Sequence, residues 1–279
     1  MEYKLGLLGY PISHSLSPWI YNQFLKQEKI KGTYTIFEVE ENRLIDQVNK
    51  MKEKNFNGFN VTAPYKEKII PLLDELDVSA QNIGAVNTVL IKNGQLTGYN
   101  TDAVGYLRSL EQYFPHLKQD KQQKILIIGA GGAARAIYYG LNRAGYISID
   151  LTNRTLEKAH AITKIKSVET KSSVMSLEVA EKQLKEYDLV IQTTSVGMKP
   201  RLNEIPITLD GIRSRTIVSD IIYQPIWTKF LTEAKALNAS IHHGHTMLLY
   251  QAQYAFEIWF GKKPTLKQMD EQLKRILEG

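Results

Sequence analysis

Ile125 to Ile128 form an unbroken apolar run, and Gly129-Ala130-Gly131-Gly132-Ala133-Ala134 follows it directly. A strand that is apolar on both faces has to be covered on both, as in parallel sheets flanked by helices. A glycine turn between such a strand and a helix is the setting in which G-x-G-x-x-A binds a dinucleotide. Glycine at 129 permits the tight turn, glycine at 131 lets the backbone approach the pyrophosphate, and small Ala134 lets helix and strand pack closely. Phosphate then sits at the positive end of the helix, against the turn completed by Ala130, Gly132 and Ala133.

Ile147 to Leu151, Leu189 to Gln192 and Ile217 to Ile221 repeat the strand pattern with helical stretches between them. Such alternation predicts a doubly wound parallel sheet with right-handed crossovers. Which dinucleotide binds is read at the end of its second strand. There the chain reads Thr152-Asn153-Arg154-Thr155, with Lys158 one helical turn further on. Arg154 can fork onto the oxygens of a 2′-phosphate, with Asn153 and Thr155 adding hydrogen bonds, so the segment points to NADP. Asp150 precedes the strand end and reads as a solvated strand residue.

The chain has 279 residues, more than one average domain, which suits two domains or one large α/β domain. A 43% hydrophobic and 23% charged composition is that of a folded globular protein and excludes disorder and collagen-like repeats. The chain contains no cysteine, which excludes disulfides, thiolate metal ligands and cysteine nucleophiles and fits a reducing compartment. A formal charge of +6, from 35 basic and 29 acidic residues, is spread without the Lys/Arg block that would track nucleic acid. The apolar stretch before Gly9 is too short for a signal-peptide core, and nothing is long enough to span a bilayer. The expected setting is the cytoplasm, with no nucleic-acid or membrane partner.

Before the glycine turn the pattern is mixed. Tyr3 to Leu8, Tyr34 to Val39 and Gly58 to Val61 read as strands, and Arg43 to Lys54 and Lys66 to Leu76 as helices. Ser17-Pro18 opens another helix, with Ser17 as candidate N-cap. Asn87 to Ile91 and Leu96 to Tyr99 flank Asn93-Gly94 as a hairpin. Met247 to Phe260 and Leu266 to Leu277 are helical and suited to folding back onto the N-terminal unit. The expected domains are therefore 1–101 with 240–279, and 102–239.

The N-terminal loops concentrate small polar side chains: Ser13, Ser15 and Ser17, then Asn60 and Thr62, Asn87, and Asn100, Thr101 and Asp102. Binding groups tend to be placed on loops at strand ends. The segments Gly9 to Pro18, Asn60-Val61-Thr62-Ala63-Pro64-Tyr65-Lys66, Gly84 to Thr88 and Gly98 to Asp102 together resemble the shikimate dehydrogenase family. So do Gly129 to Ala134, Asn153-Arg154-Thr155, Asp220 to Tyr223, and the final helix with Gly244 and Gln251. The resemblance covers nearly the whole chain.

It implies an N-terminal α/β substrate domain, a Rossmann-type NADP domain, and reversible reduction of 3-dehydroshikimate to shikimate in chorismate and aromatic amino acid biosynthesis. Ser15, Ser17 and Tyr223 would hold the substrate carboxylate. Thr62, Asn87 and Gln251 would bond the ring hydroxyls, with Asn60 in support. Lys66 and Asp102 would flank the reacting oxygen. An ammonium bonded to that oxygen can stabilise the alkoxide and protonate it, so Lys66 is the proton donor and Asp102 its orienting partner. Met198, Ile221 and Gly244 would approach the nicotinamide. No metal is expected, because the six histidines include no H-E-x-x-H or comparable ligand set.

Two positions depart from the pattern. Val78, beside Asp77, stands where many members carry an acidic residue, and Thr246 replaces the second glycine of a frequent G-x-G-M run. An NAD-dependent quinate/shikimate dehydrogenase and a non-catalytic shikimate sensor are the alternatives, and a homodimer stays open.

Overall fold

The computed structural model describes residues 2–165 and 167–279. The chain divides into two compact units, one of residues 1–102 with 251–265, the other of 103–250 with 266–279.

The first unit begins with β1 (Tyr3–Gly9), α1 (Ser17–Gln27), β2 (Gly32–Glu38), α2 (Leu44–Glu53) and β3 (Gly58–Val61). It continues with β4 (Glu75–Leu76), α3 (Val78–Ile83), β5 (Thr88–Lys92) and β6 (Gln95–Tyr99), and α4 (Asp102–Tyr113) starts at its last residue. These strands form one mixed sheet in the order β2-β1-β3-β5-β6-β4. Leu8, Val48, Met51, Phe59, Tyr65, Ile69 and Val89 fill the core over one face.

The predicted helix from Lys66 to Leu76 does not form. Pro71 lies inside that stretch, where its ring and missing N–H break the helical ladder. The chain makes a short 3₁₀ turn at Ile70–Leu72 instead, and the helix falls later, over Val78–Ile83. Asp77 accepts from Ser79 N to cap that helix, and Gly84 ends it at φ +68°. Ser17 is not the N-cap either: α1 starts at Ser17 itself, and Leu16, which occupies the cap position, makes no side-chain capping bond.

The second unit holds β7 (Lys124–Ile128), α5 (Gly132–Arg143), β8 (Ser148–Thr152), α6 (Leu156–Thr163), β9 (Val174–Met175) and α7 (Leu177–Lys182). Then come β10 (Leu189–Gln192), β11 (Ile217–Asp220), α8 (Lys229–Ala236), β12 (Ser240–His243), α9 (Gly244–Phe260) and α10 (Met269–Glu278). The sheet runs β12-β11-β10-β7-β8-β9, every pair parallel. Counted from its first strand this is the 3-2-1-4-5-6 order of the doubly wound dinucleotide fold. Ile125 and Ile127 enter one apolar cluster while Leu126 and Ile128 enter another, so β7 is covered on both faces as its composition demands.

The C-terminal stretch is divided differently from the expected 240–279. Ser240–His243 adds a parallel strand to the second sheet, and only 251–265 belongs to the first unit. There Trp259 donates from Nε1 to Val89 O at 3.0 Å, and its ring lies so close to Gly58 that a Cβ would be 2.3 Å away.

Candidate active site

In the first unit the loops after β1 and β3 and the N-terminus of α4 bring the polar residues together. Ser15 Oγ accepts from Ser17 N and donates to Ser17 Oγ, both at 3.2 Å. The Tyr34 hydroxyl donates to Asn60 Oδ1 at 2.7 Å. Asn60 Nδ2 donates to Asn87 O at 3.1 Å and Thr88 Oγ1 at 3.0 Å, so this amide is occupied inside the protein. Thr62 sits where β3 ends, its N–H donating to Leu8 O at 2.9 Å.

Lys66 Nζ donates to Asp102 Oδ2 at 2.7 Å, the lysine side chain 24% exposed and the aspartate 7%. The ammonium is thus anchored and still reachable. The other carboxylate oxygen accepts from Asn87 Nδ2 at 2.9 Å, and Asp102 N donates to Asn100 Oδ1 at 3.1 Å. Asn87 Oδ1 accepts from Thr101 N at 2.8 Å, and Thr101 Oγ1 donates to Gln251 Oε1 at 3.4 Å. Lys66, Asn87, Asp102 and Gln251 are therefore linked in one hydrogen-bonded mesh. Thr101 and Thr88, fully buried, belong to it as well, although the resemblance gives a role only to their neighbours. Thr101 stands among the small polar residues of the sequence, whereas Tyr34 reads as a core strand aromatic and gives no such signal.

In the second unit Gly129 has φ +115°, and a Cβ on it would meet Thr193 Oγ1 at 2.4 Å, so only glycine fits. Gly131 and Gly132 face open space: a Cβ added to either would have no heavy atom within 4 Å. Gly131 caps α5, whose free N–H groups and positive end adjoin that space. The donor set and the clearance suit a pyrophosphate.

Beyond β8, Asn153 Nδ2 donates to Thr155 O at 2.8 Å, and the exposed Arg154 and Lys158 make no ion pair among the described residues. Asp150 is not the solvated residue expected. It is buried, and accepts from Ser173 N at 2.8 Å and the Tyr187 hydroxyl at 3.0 Å, so its carboxylate is committed inside the protein. These features fit NADP better than NAD.

Ile221 and Tyr223 follow β11, and burial raises the Tyr223 hydroxyl above its ordinary pKa. A Cβ on Gly244 would meet Ile221 O at 2.3 Å, so the two backbones touch. Met198 is 40% exposed, on the loop after β10. Val78 is 67% exposed, and Asp77 beside it is engaged as a helix cap. Thr246 is buried, its hydroxyl donating to His243 O at 2.9 Å.

Burial, and then the neighbouring His243 and His245, push His242 down to about 3. Its ring nitrogens lie 2.8 Å from Ser219 Oγ and 3.2 Å from Ser109 Oγ. His243 Nδ1 lies 3.0 Å from Ile226 O, and His245 Nε2 lies 2.9 Å from Asp270 Oδ1. The three imidazoles have separate partners. Among the described residues no group of three or more His, Asp or Glu could hold a metal ion.

A mixed unit carrying a lysine-aspartate pair and a doubly wound parallel unit carrying a glycine turn define a two-domain α/β oxidoreductase. Residues 7–89 match the shikimate dehydrogenase substrate binding domain, 110–206 the shikimate/quinate 5-dehydrogenase family and 244–274 the shikimate 5′-dehydrogenase C-terminal domain. The chain belongs to the shikimate dehydrogenase family. It is 50% identical, over the full length of both chains, to shikimate dehydrogenase (NADP(+)) of Oceanobacillus iheyensis. A crystal structure of shikimate dehydrogenase in complex with NADP+ superposes at TM-score 0.90, with 37% identity, covering 99% of this chain and 96% of that one. The Thermus thermophilus enzyme in complex with NADP(H) and shikimate superposes at 0.87, with 33% identity, covering 98% and 99%.

Proposed function

We propose that this protein catalyses the reversible, NADP-dependent reduction of 3-dehydroshikimate to shikimate, a step toward chorismate and the aromatic amino acids. The observation that carries the reading is the 2.7 Å contact of a part-exposed Lys66 ammonium with Asp102, itself held by Asn87. In this reading residues 1–102 with 251–265 form the substrate domain and the remainder the NADP domain. Gly129 to Ala133 receive the pyrophosphate, and Asn153, Arg154, Thr155 and Lys158 the 2′-phosphate end. Met198, Ile221 and Gly244 approach the nicotinamide. NADPH, when bound, supplies the hydride.

The protein's own residues do the rest. Ser15, Ser17 and Tyr223 hold the substrate carboxylate with hydroxyl donors, and Thr62, Asn87 and Gln251 position the ring hydroxyls. Asn60, with its amide committed internally, supports Asn87 and Thr88. As the carbonyl carbon is reduced, charge gathers on its oxygen, and Lys66 Nζ donates a proton there. Asp102 fixes the lysine's direction and leaves the proton transfer to it. The resulting amine regains its proton from solvent, and oxidation of shikimate runs the same steps backwards.

No helix among the described residues is long and apolar enough to cross a membrane. The proposed setting is the cytoplasm, and a homodimer is the assembly to weigh against a monomer by sedimentation. The decisive experiment follows absorbance at 340 nm with purified protein, shikimate or quinate, and NADP or NAD. NADPH formation with shikimate is the expected result. A preference for quinate with NAD would replace this reading with the NAD-dependent one, and binding of shikimate with no turnover would indicate a sensor.

A further inference from the structure

Asp220, the last residue of β11, is fully buried with no cationic partner among its hydrogen bonds. One oxygen accepts from Ile222 N at 2.9 Å and the other from Thr228 Oγ1 at 2.8 Å. Thr228, also fully buried, accepts from Leu231 N at 3.2 Å and so caps α8. A single carboxylate therefore ties both ends of the segment 221–228: it bonds the backbone just after the strand and the side chain where the next helix starts. Burial raises its pKa to about 7, a cost that an apolar residue at this position would avoid. Ile221 and Tyr223 lie on the segment so closed.

We propose that Asp220 and Thr228 are positioning residues, whose hydroxyl-carboxylate bond sets the 221–228 loop so that Tyr223 is delivered to the substrate carboxylate. The proposal rests on the function argued above and deepens it, because neither side chain touches substrate. Mispositioning of this kind weakens binding more than turnover, since the lost contact is made in the ground state and transition state alike.

The test compares Asp220→Asn, Thr228→Val and Thr228→Ser with the wild type at saturating NADP. Asparagine keeps an acceptor for Ile222 N and presents an amide donor to a hydroxyl that then has no acceptor for its own proton. Valine removes the hydroxyl and the helix cap together, and serine keeps both. Asp220→Asn and Thr228→Val are each expected to raise the shikimate KM about tenfold while kcat falls less than about threefold, and Thr228→Ser to stay near wild type. Combining Asp220→Asn with Tyr223→Phe should raise KM little beyond the larger single effect, because one contact is lost twice. Emission of Trp227, on the same loop with its ring centroid 4.6 Å from that of His243, should shift in Asp220→Asn and Thr228→Val.

If Thr228→Val lowers Tm with an unchanged shikimate KM, Thr228 is a helix cap alone and the proposal fails. It fails equally if the double variant shows the full product of the single effects. Absence of shikimate-dependent NADPH formation in the wild type would sink the function itself, whereas an active wild type with an indifferent Asp220→Asn sinks only the positioning role.

Discussion

In the first unit Asp102 sits in a closed mesh with Lys66, Asn87 and Asn100, each bond between 2.7 and 3.1 Å. In the second, the turn at Gly131 and Gly132 faces open space, and Arg154 and Lys158 have no ion-pair partner among the described residues. Under the proposed function, the contrast follows from what each has to hold. Neutral hydroxyls give weak, directional bonds, so donors and acceptors aimed at them have to be fixed beforehand by other bonds. A pyrophosphate and a phosphate are attracted at longer range, and backbone N–H groups with uncommitted cations suffice. Damage to the mesh should therefore cost rate, and damage to the glycine turn or its cations should cost cofactor affinity.

The largest expected effect is on Lys66→Ala. Its kcat should fall about a thousandfold, about 4 kcal/mol of transition-state stabilisation, with the shikimate KM within a few-fold of wild type. An equal loss in KM would make Lys66 a binding group and erase the contrast. Next come the glycines. Gly129→Ala should destabilise the fold by about 2 kcal/mol, since both its φ of +115° and the Thr193 hydroxyl exclude a methyl. Gly131→Ala should keep its Tm and lose NADP affinity alone. Thermal melts with and without NADP separate the two, and equal melting losses would mean that the space before α5 is not reserved for a ligand.

Asp220 sharpens the comparison through pH. Its folded pKa of about 7 lies above the ordinary value of 3.8, so the native state holds a proton that the unfolded chain has released between those limits. Wild-type stability from this group is fully present below about pH 4 and is lost as pH rises toward 7, on the order of a few kcal/mol. Subtracting the Asp220→Asn unfolding curve should isolate that slope, and parallel curves would show the carboxylate is not burdened by burial. The smallest effect is expected from Arg154→Ala, a rise of about tenfold in the NADP KM, near 1.4 kcal/mol, with little change for NAD. Parallel changes with both cofactors would remove the phosphate contact.

Much of the molecule is legible in the sequence wherever a short segment determines its own geometry. The apolar run and glycine turn announce β7 and α5, and the Asn60-to-Lys66 and Gly98-to-Asp102 segments carry the residues of the mesh. Pro71 is enough to cancel the helix read through it, and Asp77 and Gly84 mark the one that forms. Other features depend on distant partners. Ser240–His243 has too few apolar residues to read as a strand and becomes one because β11 offers an edge. Asp220 looks like any strand-end aspartate until Ile222 and Thr228 fold around it. Asp150 likewise looks solvent-facing until Tyr187, far along the chain, reaches its carboxylate.

Trp259 closes over Gly58 and bonds Val89, 170 residues before it in the chain. During synthesis the first sheet can pair its strands early, yet it stays uncapped at Gly58 until residue 259 has left the ribosome. A nascent protein stalled before residue 259 would thus display an apolar face that the finished molecule conceals, and chaperones would meet that face first.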